Sequence, residues 1–408
     1  RLTIALSALA LVTLNGCGSN PNTQTGKNVK DAQTTVSVVK SGVEWSQAQQ
    51  QFLAGDLDKA LNSINKSLAI NPDVAKSHVL KGRIIFEKGD LEAARACFAR
   101  AIELDKTNVD AHYYTGLVAE RSRQSEQAHE FYAKAMELDS ANPQYVIAAA
   151  EMLVELKRLD DAETLLTSRS ASLSHSAGIR HLLGQISMLK GNAAKAVEYF
   201  SEARLMTTND SVITEDLAGA MMAAGQFADA EYHLQQLIRK DGNANRRDLI
   251  SMRAKCLVEL DRLVEARTLL IGLTSSDSGA RDLNAWIQLG QVAHQIKDVN
   301  RLRFVAGRVI ALAPQRWEGY ALRGLFLQQT ADQAGALVAF NQAAELSSDN
   351  PAPLVMRAVL LSDMGRADEA RSSASQALSR DPGNKQAQQL IAYLDTKAPV
   401  ASVPENSN

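Results

Sequence analysis

The stretch Gly89–Asn108, GDLEAARACFARAIELDKTN, decides how the whole chain is read, because its grammar returns at residues 365–384 as GRADEARSSASQALSRDPGN. Each opens on a glycine, runs through an alanine-rich amphipathic segment and closes on a polar turn. A pattern that recurs so far along asks for internal periodicity, which settles an architecture before local signals do. From Ala94, steps of 34 residues meet Ala60 in one direction and Ala128, Ala162, Ala196 and Ala230 in the other. Two steps of 36 lead to Ala266 and Leu302, and steps of 34 then reach Ala336 and Ala370.

A second register lies twelve residues upstream of the first, at Ala48, Gly82, Gly116, Ala150, Gly184, Ala218, Ala254, Gly290, Gly324 and Ala358, and every member is Gly or Ala. Four residues after the alanine register come the bulky Ile64, Phe98, Tyr132, Leu166, Phe200, Leu234, Leu270 and Phe340. Side chains at i, i+3 and i+4 share one helix face, so Ala94, Cys97, Phe98 and Ala101 form a stripe of small and bulky residues. A small residue where two helices cross lets their backbones approach, and the neighbouring ring fills the space beyond. Gly55, Gly89, Gly191, Gly225 and Gly365 mark turns between the registers, and Pro72, Pro314 and Pro382 end second helices. Each unit is therefore two helices and two turns, and one pair cannot cover its own apolar stripe, so pairs must stack.

With these residues in place, the chain resembles the tetratricopeptide repeat family, whose pattern is W-x-x-L-G, then A-x-x-x-F, then P. AWIQLG (285–290) and AVEYF (196–200) carry the resemblance most fully. It covers residues 41–384 as ten units beginning at Ser41, Ala75, Val109, Pro143, Ala177, Ser211, Arg247, Leu283, Trp317 and Pro351. The resemblance implies an all-α, right-handed α-solenoid of about ten helix-turn-helix units, with the amphipathic KQAQQLIAYLDT (385–396) as a C-terminal capping helix. Two departures stand out. Insertions fall in KDGNANRRDL and GLTSSDSGARDL, and Leu302 replaces the register alanine. Lengthened turns there predict a kink or flexible joint between about Asp241 and Ala306.

The resemblance also implies a concave binding surface lined by the first helix of each unit. The residues it places there are Arg83, Phe86, Tyr113, Glu120, Ile147, Glu151, His181, Gln185, Met188, Met222, Lys255, Gln291 and His294. The family's cationic clamp for a C-terminal carboxylate is not reproduced in consecutive units. What remains is a mixed polar, aromatic and Met surface, suited to protein or peptide ligands more than to one charged small molecule.

Composition agrees with helix: 45% of residues are apolar but only 5% aromatic, so the apolar content is mostly Ala and Leu rather than strand-forming residues. The 44 basic and 46 acidic residues nearly cancel, which argues against nucleic acid as a partner. Phosphate-binding glycine loops, HExxH, GxSxG and CxxC are all missing from the sequence, so no catalytic residue, metal site or cofactor is expected. His78 and His112 hold equivalent places in successive units, and a stacked structural pair is the simpler reading than metal ligation. Cys97 and Cys256 read as small buried packing residues. The cluster Arg239, Lys240, Arg246, Arg247, Arg253 and Lys255 is interleaved with acids and reads as a solvated face rather than an acidic-partner site.

The first seventeen residues, RLTIALSALALVTLNGC, set one basic residue before the apolar run Leu2–Leu14 and end at Cys17. That run is short for a bilayer span and fits the core of an export signal. It resembles a bacterial lipoprotein signal, which implies lipidation of Cys17, and Gly18 rather than Asp after the cysteine favours the periplasmic side of the outer membrane in a Gram-negative source. Residues 18–40 read as a flexible tether with a reach of about 25 to 29 Å, and residues 397–408 as a disordered tail. The expected function is a membrane-anchored scaffold or adaptor that binds partner proteins in the cell envelope for assembly, secretion or export. The alternative is a self-associating structural scaffold, which exposed apolar residues on the second helices would favour.

Overall fold

A computed structural model of the chain describes residues 24–170, 172–208, 210–240, 242–276 and 279–397. These residues form α-helices and one 3-10 turn, with no strand among them. They divide into two units, one ending at Ile186 and the next beginning at Ser187. The first unit holds α1 (Gln24–Leu53), α2 (Leu57–Ile70), α3 (Ala75–Glu87), α4 (Leu91–Leu104), α5 (Val109–Arg121), α6 (Ser125–Leu138), α7 (Pro143–Glu155) and α8 (Leu159–Ser170). The boundary falls within α9 (Ala177–Leu189). The second unit continues with α10 (Ala193–Leu205), α11 (Ser211–Ala223), α12 (Phe227–Arg239), α13 (Arg247–Glu259), α14 (Leu263–Ser275), the 3-10 turn Gly279–Arg281, α15 (Leu283–Gln295) and α16 (Val299–Leu312). It ends with α17 (Trp317–Gln329), α18 (Gln333–Leu346), α19 (Ala352–Asp363), α20 (Ala367–Arg380) and α21 (Lys385–Lys397). This is an all-α helical-repeat solenoid fold of paired helices closed by α21, whose Ala387 and Leu394 are buried.

Glycine and aromatic residues at the helix crossings are matched. A Cβ built on Gly82, Gly116 or Gly324 would lie 2.5, 2.5 and 2.4 Å from the ring of Phe98, Tyr132 and Phe340 respectively. Those rings are fully buried, so the glycine is what admits them. The turn inside each pair is matched as well. Gly55, Gly89, Gly191, Gly225 and Gly365 have φ of 80°, 89°, 76°, 78° and 77°, the left-handed region that glycine adopts without strain. At the same place in the other five pairs stand Arg123, Lys157, Asp261, Lys297 and Ala331, also left-handed, with φ between 56° and 61°.

Two sequence expectations are corrected. Residues 24–40, read as tether, are helical and belong to α1. From Lys27 to Ser41 there is neither Pro nor Gly, and once residues 41–53 are held against α2, extending the helix adds a hydrogen bond for each residue fixed without a new nucleus. Residues 1–23, including Cys17, and the tail 398–408 lie outside the described residues, as does the break in the first insertion at 241. The expected joint between Asp241 and Ala306 is also not what is found. Ala254, Leu257, Ala266, Leu270, Leu289, Leu302, Val305 and Leu322 form one buried cluster through that stretch, and Leu302 fills it at 0% exposure. Arg247 fastens the second insertion, donating to the Leu273 carbonyl (2.9 Å) and the Ser276 hydroxyl (3.0 Å) and pairing with Asp282 (2.6 Å). The described residues between α12 and α13 and between α14 and α15 lie in turns, while 241 and 277–278 lie outside the described residues, and the helix faces stay packed.

Candidate protein-binding site

In the first unit, the sequence-predicted residues fall into two groups. Arg83 and Phe86 are engaged by their neighbours: the Arg83 guanidinium lies over the rings of Phe52 (5.1 Å) and Tyr114 (4.8 Å), and Arg121 lies over Phe86 (5.0 Å). Ile147 is also occupied, packing where a Cβ on Gly178 would be only 2.7 Å from its Cδ1. Tyr113, by contrast, joins a cluster with Tyr132 and Tyr145 at 5.5 and 5.2 Å, and the Tyr132 hydroxyl donates to Glu120. Gln185 stands exposed on α9.

Glu120, Glu151 and His181 are electrostatically coupled. Burial and the nearby Glu120 charge hold the Glu151 carboxyl above its ordinary value, and His181 partly offsets them. The fold therefore favours neutral Glu151: its contribution is fullest below the unfolded carboxyl's pKa and is lost as pH rises through the folded value. Glu151→Gln mimics the neutral form. It should match the parent's stability near about pH 4 and exceed it by a few tenths of a kcal/mol near about pH 7, the gain being small because the side chain is only partly buried and solvent screens it. Thermal melts at both pH values check this, and a variant less stable at neutral pH would refute it.

In the second unit, Met222, Lys255, Gln291 and His294 do come together, around a cleft of about 680 Å³. Met222 and Phe227 border it from α11 and α12, Lys255, Val258 and Glu259 from α13, Gln288, Gln291, His294 and Gln295 from α15, and Leu325 and Met356 from α17 and α19. Met188, the remaining predicted residue, packs beside the core around Phe200 and Leu217. The residues missed from sequence, Gln288 and Gln295, lie one helical turn either side of Gln291 and share its face, a spacing that could have found them.

His294 is held as a neutral ring. Gln329 Nε2 donates to its Nδ1 (2.8 Å) and to its carbonyl (2.9 Å), which places the ring proton on Nε2, and burial lowers its pKa. Gln288 Nε2 donates to Ser251 Oγ at 2.9 Å, while the side-chain oxygens of Gln288 and Gln329 are buried with no hydrogen-bond partner. An unmatched buried acceptor is unfavourable by about 1 to 3 kcal/mol until a donor reaches it. The cleft thus combines apolar side chains with amide and imidazole groups able to meet N–H and C=O groups.

Other candidates turn out to be structural. His78 Nε2 bonds the Pro72 carbonyl (2.7 Å) and His112 Nε2 the Lys106 carbonyl (3.0 Å), each six residues upstream. Trp286 Nε1 and Gln388 Nε2 donate across the same interval, to Ala280 (3.2 Å) and Pro382 (2.8 Å). All four sit at the fourth residue of a unit's first helix or of α21, where an N–H reaches back to tie the preceding turn. The basic cluster is dispersed into ion pairs: Arg246 with Glu215 (2.8 Å) and Asp248 (2.5 Å), Arg247 with Asp282, and Arg253 with Glu231 (2.7 Å). Both thiols are free. Burial lifts Cys256 to about 11, which keeps it protonated, and Cys97 is only partly buried rather than sealed in the core. Among the described residues no group of three His, Cys, Asp or Glu side chains is placed to hold a metal, and no helix is long and apolar enough to cross a membrane.

Two family models match the chain, a TPR repeat at residues 82–122 and a tetratricopeptide repeat at 353–384. Together with the register that runs between them, they support a tetratricopeptide repeat protein, a fold that generally serves as a scaffold for protein–protein interaction. No curated protein matches it. Among solved structures it is similar to PilF of Pseudomonas aeruginosa (20% identity, TM-score 0.42, covering 50% of this chain and 92% of that one). It is also similar to PilW, described as a widely conserved type IV pilus biogenesis factor (16%, 0.44, 50% and 96%). A third is a tetratricopeptide repeat protein from Parabacteroides merdae (13%, 0.41, 70% and 98%).

Proposed function

We propose that the chain is a lipid-anchored scaffold of the bacterial cell envelope, and that the cleft of its second unit receives an extended peptide segment of a partner protein during assembly, secretion or export. The cleft carries the binding half of this reading. Its volume of about 680 Å³ falls in the range of specific ligand sites, and its apolar walls with a few fixed polar groups are the composition such sites have. The amides of Gln288, Gln291 and Gln295 along its wall suit the main-chain N–H and C=O groups that any peptide supplies. Cys17 after the apolar run Leu2–Leu14 supports the anchoring half, and Gly18 supports the outer membrane, periplasmic side.

Photoreactive residues at Gln291 in the second unit and at Tyr113 and His181 in the first, placed in the native cell, test the binding half. One envelope protein captured at Gln291 and lost on Lys255→Glu with Met356→Asp is the expected result; capture indifferent to both substitutions sinks the reading. Labelled palmitate tests the anchor separately: incorporation should vanish in Cys17→Ser. Self-association is a second reading, favoured by Tyr232 and Val338, which stand 57% and 69% exposed on second helices of the second unit. A concentration-independent monomer in sedimentation would remove it.

A further inference from the structure

The inner face of α16 is ordinary for this fold, with Leu302, Val305, Ala306 and Val309 buried. Its outer face sets an exposed ring among arginines. Phe304, Gly307 and Ala311 follow one another at steps of three and four residues, Arg303 lies beside Phe304, and all four are exposed. The equivalent positions are Glu130, Ala133 and Glu137 on α6 and Ser372, Ser375 and Ser379 on α20, while α12 sets Tyr232, 57% exposed, in the place of Phe304. On α16 the stripe carries a ring 59% exposed to water, and leaving so much apolar surface wet is unfavourable unless something covers it.

The ring is fixed rather than hidden. Trp286 meets Phe304 edge-on, centroids 5.9 Å apart at 62°. Trp286 Nε1 and Arg308 Nη2 both donate to the Ala280 carbonyl, at 3.2 and 3.0 Å. That carbonyl belongs to the 3-10 turn that the second insertion adds. The insertion thus holds Trp286 against Phe304 and Arg308 alongside, leaving an open, shallow hollow over Gly307 that is lined by residues of α16 alone, among them Arg303, Phe304 and Ala311.

Charge says what fits it. Residues 299–312 contain Arg301, Arg303 and Arg308 and no acid. Asp298 at the helix start is shared between Arg267 (3.6 Å) and Arg301 (4.0 Å). Among the described residues neither Arg303 nor Arg308 has a carboxylate partner, and Arg308 meets only the neutral carbonyl. We infer that the outer face of α16 is a second docking surface, independent of the cleft, for an acidic protein segment bearing a bulky apolar side chain. That side chain lies in the hollow against Phe304 and over Gly307, and flanking carboxylates meet Arg303 and Arg308. Nucleic acid is a poorer match, since these few arginines in a chain of net charge −2 offer too few phosphate contacts. A bilayer is poorer still, because the apolar stripe is narrow and lacks the broad face of an interfacial helix.

The test uses a dye-labelled synthetic peptide with one leucine and one tryptophan set among aspartates and glutamates, followed by fluorescence anisotropy. Arg303→Glu should weaken binding by about tenfold or more. Gly307→Leu is the sharper variant: a Cβ there meets nothing within 4 Å, so the fold accepts it, yet the side chain fills the hollow and should abolish binding while the melting temperature holds or rises. Lys255→Glu, in the cleft, should leave peptide binding unchanged and so separates this surface from the proposed cleft function. The inference is overturned by failure of the peptide to bind, by affinity indifferent to Arg303→Glu and Gly307→Leu, or by equal binding of a lysine-for-acid peptide, oligothymidylate or phosphatidylglycerol vesicles. Self-association abolished by Gly307→Leu would likewise overturn it, by making a second copy the occupant.

Discussion

Gly324→Ala should destabilise the second unit by about 2 kcal/mol, although alanine is the better helix former. The added Cβ would stand 2.4, 2.6 and 2.9 Å from Cε1, Cδ1 and Cζ of Phe340. That ring is fully buried between α17 and α18 and cannot swing away. Overpacking of this kind is unfavourable by about 1 to 3 kcal/mol and occasionally more, against which the helix-propensity gain of about 1 kcal/mol counts. A double-mutant cycle isolates the cause. Phe340→Leu alone leaves a cavity, but in its presence Gly324→Ala should be nearly harmless, giving a coupling of at least about 1 kcal/mol between the two sites. Denaturant titrations of the four proteins measure it, with hydrogen exchange in α17 and α18 locating the loss. Simple additivity would show that the ring is not what requires the glycine. The logic extends along most of the chain: alanine occupies the register where the residue sixteen further on is aliphatic, as in Ala48 with Ile64 and Ala254 with Leu270, and glycine where it is Phe98, Tyr132 or Phe340, while Gly290, with Ala306 sixteen further on, instead makes room for Leu322.

Arg253→Leu should be more damaging, by about 3 kcal/mol, because it strands a charge. Glu231 is 8% exposed. It accepts from Arg253 Nε at 2.7 Å and is otherwise reached by Arg262 only at 3.4 Å. Without Arg253 the carboxylate keeps its burial and loses its main partner. Replacing both, as Glu231→Met with Arg253→Leu, removes the desolvated pair together and should recover stability to within about 1 kcal/mol of the parent. If the double variant proves as unstable as Arg253→Leu alone, packing rather than stranded charge is responsible.

The architecture was legible because each requirement is written at a fixed interval. The small residues at crossings, the bulky residues filling them and the turn glycines all recur, and α3, α5, α7, α9, α11, α13, α15 and α17 begin at the residues where the register starts a unit. What escaped has tertiary causes. The left-handed turns at Arg123, Lys157, Asp261, Lys297 and Ala331 carry no sequence mark, since the neighbouring helices impose a conformation those residues do not prefer. Residues 24–40 look like linker by composition and are helical by continuation from a packed segment. Of the thirteen groove residues, the four gathered around the second-unit cleft share it with Leu325 and Met356, which come from α17 and α19, further along the chain. Arg83 and Phe86 were legible as surface residues but not as partners of Tyr114 and Arg121, because those contacts cross between helices.

The long first helix changes what an anchor could do. With residues 41–53 packed in the first helix pair, residues 24–40 of α1 extend beyond it as a rod of about 25 Å, and residues 18–23 separate it from Cys17 in sequence. A limp leash lets a scaffold search a hemisphere, meeting partners by chance at every angle. A rigid rod behaves differently from a leash: it gives up search volume for a more repeatable pose. With lipid at Cys17, the first helix pair would be held off the bilayer by this rod, and partners of that pair would be selected by how far they protrude as well as by their chemistry.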